Sequence, residues 1–255
     1  RQAYYENGAI IPAGNAFILK ENGELKCFSE EADKKEISAT FYSKTPYRLH
    51  TALQAAGTVG TRFSVCNKKD LSDSLNVYTI EKLPFYEDSF KIPTNKKYRY
   101  LVCDFQNTPA FQDAYSIAEI KIFGKNRQQL EGKLTGTKGI SDNKLENAMD
   151  EDRVSFYQPD KSEKRQYIVF DLGQPREIEK VEFYPRSDDN RIVTGELYEL
   201  FYWDKKWISL GRQYGKENRL AFYNIPQNAL FRIHNHTRGK EHRPFTYEEG
   251  KQVWW

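Results

Sequence analysis

No apolar run in this chain approaches the roughly 18 residues that a membrane-crossing helix needs, so no membrane span is expected. Charge of one sign is not in excess either: 39 Lys and Arg stand against 36 Asp and Glu, a formal net charge of +3. A nucleic-acid partner, which calls for a clustered basic stripe, is therefore not expected. Cysteine occurs three times, at Cys27, Cys66 and Cys103, each in a strand-like run. An odd count cannot pair fully within one chain, and no CxxC or Cys/His spacing suggests a metal or redox site. Buried thiols acting as small apolar residues are the plain reading; in an exported protein one pair could close a disulfide, and the sequence does not say which. Catalytic signatures are missing too. There is no G-x-S-x-G, H-E-x-x-H, phosphate loop or G-x-G-x-x-G, and no acid pair in a recognisable glycosidase setting. The chain is expected to have no catalysis of its own.

What is abundant is aromatic: 17 Tyr, 16 Phe and 4 Trp in 255 residues, against a single Met. Flat and β-branched side chains pack well on pleated surfaces, so β-structure is favoured. Short apolar runs alternate with polar turns. AFILK and ELKCF flank Glu21-Asn22-Gly23-Glu24, a hairpin signal; runs follow at 37–42, 47–53, 62–66, 76–80, 90–92, 98–105 and 117–123. After a polar stretch from Arg127 to Gly139 come a short turn or helix near Leu145–Met149 and runs at 166–172, 178–184, 195–203, 207–212, 219–223, 229–234 and near the terminal Trp254-Trp255. Short strands without a long helical period predict an all-β fold of two tandem jelly-roll sandwiches, residues 1–126 and 127–255. A weak internal repeat fits that division: IPTNKKYRYL from Ile92 and IPQNALFRIH from Ile225 share Ile, Pro, Asn and Arg at equal offsets.

The stretch from Val181 to Arg212 carries the most information. A strand ends at Pro185, a loop R-S-D-D-N-R follows, then GELYELFYW, a tight turn at Asp204-Lys205-Lys206 and the return run WISLGR. This order resembles the discoidin, or coagulation factor 5/8 type C, modules and the related family 32 carbohydrate-binding modules. The closing run TRGKEHRPFTYEEGKQVWW is similar to the end of a discoidin-like module that recurs in large secreted proteins of Bacteroides-type gut bacteria. The likeness covers about residues 130–255 well and the first half only loosely, through YSIAEIKIFG. It implies a galactose-binding-type β-sandwich that binds a glycan or glycoconjugate at its loops and needs no cofactor. It also implies an extracytoplasmic location and an upstream parent protein, with a catalytic part of transglutaminase-like or peptidase-like kind. A chain opening Arg1-Gln2 reads as a mature fragment or a piece of such a protein. The first domain, whose corresponding loop Gln54–Gly60 carries no charge, is expected to be a scaffold.

Three segments are candidate sites. Sugar hydroxyls call for carboxylate acceptors, guanidinium or amide donors and an aromatic plane, and Arg186, Asp188, Asp189, Asn190 and Arg191 supply both signs on one short arc. Equally, the two Asp could cap backbone N–H groups while Arg186 pairs with one of them, making a solvated turn. Second, three of the four histidines fall within nine residues. His234, Arg238 and His242 are expected to form a basic rim for an acidic ligand, with an ordinary solvated loop as the alternative and a transition metal disfavoured by the cationic run. Third, oxygens at Asn147, Asp150, Asp152 and Ser155 offer a hard-cation site for a structural calcium. That segment is similar to the A-x-D-G-D-x-x-T/S-x-aromatic calcium turn of many family 32 modules, although Glu151 stands where those have glycine; Glu248 or Glu249 would be distant ligands. Most aromatics from Tyr184 to Trp207 read as packing, whereas Tyr157, Tyr214 and Tyr223 lie nearer turns, as ligand-stacking rings would.

Overall fold

Period-two alternation buries one face of strands such as Phe231–Asn235, and several strands pair with partners far away in the sequence. The computed structural model describes residues 3–4, 10–11, 16–19, 25–28, 33–84, 86–92, 96–106, 108, 115–160, 162–239 and 242–255. The chain opens with β1 (Ala3–Tyr4), β2 (Ile10–Ile11), β3 (Ala16–Leu19), β4 (Leu25–Phe28) and β5 (Asp33–Phe41). Then come α1 (Leu49–Ala56), β6 (Arg62–Cys66), β7 (Leu75–Thr79), β8 (Asp88–Lys91), β9 (Lys97–Asp104), β10 (Ile117–Phe123), β11 (Lys133–Gly136), β12 (Tyr167–Glu177) and β13 (Lys180–Pro185). The last are β14 (Leu197–Asp204), β15 (Lys206–Tyr214), β16 (Leu220–Gln227), β17 (Phe231–Asn235), β18 (Phe245–Glu248) and β19 (Lys251–Trp254). The protein is predominantly β, as expected. The hairpin strands β3 and β4 pair antiparallel, while their Asn22-Gly23 turn lies outside the described residues.

The division of the chain differs from the expected one. One unit is Tyr47–Asp189, and the other is assembled from Arg1–Pro46 and Asn190–Trp255. The boundary expected after residue 126 runs inside the Tyr47–Asp189 unit, where β9 pairs with β12 and β10 with β13. The polar 127–139 stretch, at whose start the boundary was expected, contains β11, whose Lys133–Gly136 pairs with β12. Its four residues are too few and too polar to show alternation.

In the Tyr47–Asp189 unit a five-stranded sheet, β11-β12-β9-β6-β7, and a three-stranded one, β10-β13-β8, supply the two sides of one apolar cluster. Phe63 is fully buried there with rings of Phe90 and Phe183 at 4.9 and 5.9 Å. Cys103 faces this cluster, whereas Cys66 packs on the other side of the same sheet with Tyr100 and Val102. Both thiols are free and buried, and burial raises both pKa values; the plain apolar reading holds for these two. The run 47–53, expected to be a strand, is helical from Leu49. Its buried face is Thr51, Gln54, Ala55 and Thr58, at helical spacing, while Leu49 is 76% exposed and Leu53 46%. Apolarity here marks the outward face, the reverse of the usual signal.

In the other unit β5 and β16 form one layer and β15-β14-β17-β18-β19 the second. Phe41 is fully buried between them, with the Phe245 and Tyr247 rings edge-on at 5.3 and 5.4 Å. Replacing so central a ring with Ala is worth about 3–5 kcal/mol. The β14–β15 hairpin turns at Lys205, with Trp203 opposite Trp207, as its Asp-Lys-Lys turn predicted.

No helix among the described residues is long and apolar enough to cross a membrane.

Candidate functional site

The β5–β16 layer presents one aromatic ring to solvent. Phe222 pairs with Ala39 and Ile225 with Ile37, so Tyr223 and Asn224 together face Ser38. Such a bulge gives one strand an extra residue and re-aims a side chain. Asn224 takes it up in the left-handed region, at φ 54°, which Asn tolerates better than most residues. Tyr223 is left 73% exposed, at the wall of a groove of about 280 Å³ shared with Thr40, Gln213, Lys216, Glu217, Arg219 and Ala221.

The floor of this groove is fixed from below. Lys216 bridges Arg219 around Glu217 and Asn218, both with positive φ, so β15 turns into β16 through a tight reversal. The Asn218 N–H donates to Thr194 Oγ1 at 3.0 Å. The Gln213 amide donates to the Ala221 carbonyl and accepts from its N–H. Above them Arg219 and Glu217 pair at 2.6 Å. A flat ring beside a guanidinium, a carboxylate and an ammonium is the donor and acceptor set that a sugar's apolar face and hydroxyls require. Tyr214, 66% exposed, is the other tyrosine of the expected three that reaches solvent; Tyr157 is fully buried and donates its hydroxyl to the Thr137 carbonyl at 2.9 Å.

The mixed-charge loop is distributed between the units. Arg186, Asp188 and Asp189 close the Tyr47–Asp189 unit. Arg186 donates to Asp188 Oδ1 at 2.6 Å and lies over the Phe156 ring at 3.8 Å, while Asp188 Oδ2 accepts from Thr51 at 2.8 Å. Asp189 is 8% exposed, and both acids take positive φ. Asn190 and Arg191 belong to the other unit and are buried. The Asn190 carbonyl accepts from the Lys44 N–H at 2.8 Å, and Arg191 bridges Ser43. The Arg186–Asp188 pair matches the turn alternative, and burial of Asp189, Asn190 and Arg191 removes them from an exposed arc.

Of the basic rim, Arg238 donates to Glu196, a buried carboxylate that also takes the Asn235 amide at 2.8 Å; it anchors its loop. His234 and His242 come together, rings stacked 4.3 Å apart, with His234 Nδ1 facing His242 Nε2. The His236 ring meets His234 edge-on at 4.4 Å, and Glu199 accepts from His236 at 2.6 Å, Arg212 at 2.9 Å and Ser209 at 2.7 Å. Burial works against the Glu199 carboxylate, and the three hydrogen bonds outweigh it, so its pKa lies below the ordinary value. Sequence reasoning missed Glu199, Ser209, Arg212 and Arg232. The available signal was register, since Glu199 lies opposite both Arg212 and His234.

The expected calcium ligands fold onto one another. Asp150 accepts from Ser155 at 2.6 Å and from the Asp152 N–H at 2.9 Å, Asp152 accepts from the Val154 N–H at 2.8 Å, and Asn147 donates to the carbonyls of Asp142 and Phe156. Glu151, in the glycine place, adopts φ 64°, so the turn forms without glycine. Among the described residues no group of three or more His, Cys, Asp or Glu is arranged to hold a metal ion. Beside the turn, Glu119 is 1% exposed and its Oε2 has no hydrogen-bond partner among the described residues. Burial pushes its carboxyl up to about 8, with Lys121 pulling the other way.

Compared with protein-family models, with curated proteins and with solved structures, the chain matches none.

Proposed function

We propose that this chain binds carbohydrate without catalysing a reaction, as a discoidin-like pair of β-sandwiches serving a longer exported protein. The observation that carries the proposal is Tyr223, set out at 73% exposure by a bulge beside the Arg219–Glu217 pair. A flat ring held out beside both signs of charge offers an apolar plane for a sugar face and polar groups for its hydroxyls. The eight strands of Tyr47–Asp189, in sheets of five and three, support a jelly-roll reading of that unit. Its role in the proposal is that of a scaffold, because Asp188 is already engaged by Arg186 and Thr51 and the Arg186 guanidinium lies over the Phe156 ring.

A glycan array followed by calorimetric titration of the best hit tests this. Wild type binds, and Tyr223→Ala weakens binding at least about tenfold, the stacking of one ring being worth roughly 1–2 kcal/mol or more, while its thermal unfolding is unchanged. An array silent for wild type favours a structural role instead, in which the chain docks onto its parent protein and binds no glycan.

A further inference from the structure

We infer that the outer face of β17 holds an oxyanion, the carboxylate or sulfate group of an acidic ligand, between Arg232, His234 and His242. This site is separate from the Tyr223 groove: Phe231 and Ile233 point into the core, and Arg232 and His234 alternate to the other side of the sheet.

Two side-chain nitrogens there have been taken out of water without receiving a partner among the described residues. The Arg232 guanidinium lies over the Phe201 ring at 4.9 Å and the Trp207 ring at 4.4 Å. These contacts fix its plane, yet its Nε is buried without a hydrogen-bond partner among the described residues. The same is true of His242 Nδ1. When His234 donates to His242 Nε2, the neutral His242 ring carries its proton on Nδ1, a second donor without an acceptor. A hydrogen bond left unmade in a buried place destabilises the fold, and one tetrahedral or planar oxyanion would satisfy both.

The charges around the pair favour the same ligand. Among the described residues the groups acting on it are Arg232 on β17, His236 just beyond that strand, Lys44 in the segment after β5, and Glu199 on β14. Glu199 is the one carboxylate among them, and its oxygens already serve Ser209, Arg212 and His236. Burial first, then its cationic neighbours His234, Arg232, Lys44 and His236, depress His242 to about 4. His234 is lowered for the same reasons, with Glu199 opposing. An entering anion would reverse the sign of that field, so the histidines would take up protons as it binds and binding would tighten as pH falls.

The test titrates the full chain with sodium sulfate, sodium glucuronate or glucose against sodium chloride of equal ionic strength, at pH 6 and pH 8. Thermal unfolding and histidine side-chain NMR shifts are followed. Sulfate and glucuronate should raise the unfolding temperature and move the His234 and His242 resonances, more at pH 6, while glucose does neither. Arg232→Gln and, separately, His242→Gln should weaken the response about tenfold, roughly one charge-assisted hydrogen bond, and Tyr223→Ala should leave it intact. A response to sulfate alone keeps the site and narrows its ligand to tetrahedral anions. Equal responses to sulfate and chloride, or wild-type responses in both histidine-site variants, overturn the inference. Neither result bears on the Tyr223 groove, whose own variant is read on neutral glycans.

Discussion

The Tyr198 hydroxyl donates to Glu196 Oε2 at 2.9 Å, and the same carboxylate takes Asn235 and Arg238. The turn into β14, the end of β17 and the loop beyond it thus meet on one buried acid, 6% exposed. Removing it takes a shared acceptor from three donors. Glu196→Ala should cost about 3 kcal/mol, the usual scale for breaking one side of a buried charged pair, while Glu196→Gln, which keeps an acceptor for Tyr198, should cost less. Urea denaturation with an unchanged slope checks the ranking; equal losses would mean that shape, and not hydrogen bonding, matters there.

Asp188 provides a test of the loop reading. Its two oxygens hold Arg186 and Thr51 inside a single unit, and its side chain is 30% exposed, so solvent screens part of the pairing. Asp188→Ala should lower stability by about 1 kcal/mol and leave glycan affinity where it was. A loss of affinity at full stability would return the ligand to this loop.

Much of the strand pattern was legible because alternation is local. Leu197 to Trp203 and the Asp204-Lys205-Lys206 turn announce the β14–β15 hairpin without reference to any other part of the chain. The nesting of one unit within the other was not legible. Pairing of β9 with β12 or β5 with β16 joins residues far apart, and short runs carry no label naming their partners. The candidate site divides in the same way. Tyr214 and Tyr223 stand near turns and emerge exposed, but the bulge that turns Tyr223 outward depends on β5 opposite it. Asp189 and Arg191 look like surface residues by type, and only the fold shows them buried.

Glu119 makes stability depend on pH in an unusual direction. Its folded carboxyl sits at about 8 against an ordinary 4.5, so the folded state binds this proton more tightly than the unfolded one. The contribution is full below about 4.5 and is lost as pH rises through 8. Glu119→Gln, which mimics the protonated acid, should match wild type at pH 4 and exceed it at pH 9 by on the order of a few kcal/mol. Denaturation at both values in EDTA and again in calcium chloride checks this. A divalent cation held by Glu119 with Asp150 or Asp152 would favour the ionised carboxylate and flatten or reverse the trend, so the two series also decide the calcium expectation.

The bulge at Asn224 ties fold to binding most directly. Its φ of 54° lies in the left-handed region, open to Gly, tolerated by Asn and strained for a β-branched residue. Asn224→Gly should therefore keep both stability, within about 0.5 kcal/mol, and glycan affinity. Asn224→Val should cost about 1–2 kcal/mol. If the strand relieves that strain by losing its extra residue from the bulge, the register on one side shifts by one and Tyr223 swings to the other face. Affinity should then fall as far as in Tyr223→Ala, with the two losses not adding in the double variant. An Asn224→Val variant that still binds at wild-type strength would show that the ring is presented by something other than this bulge.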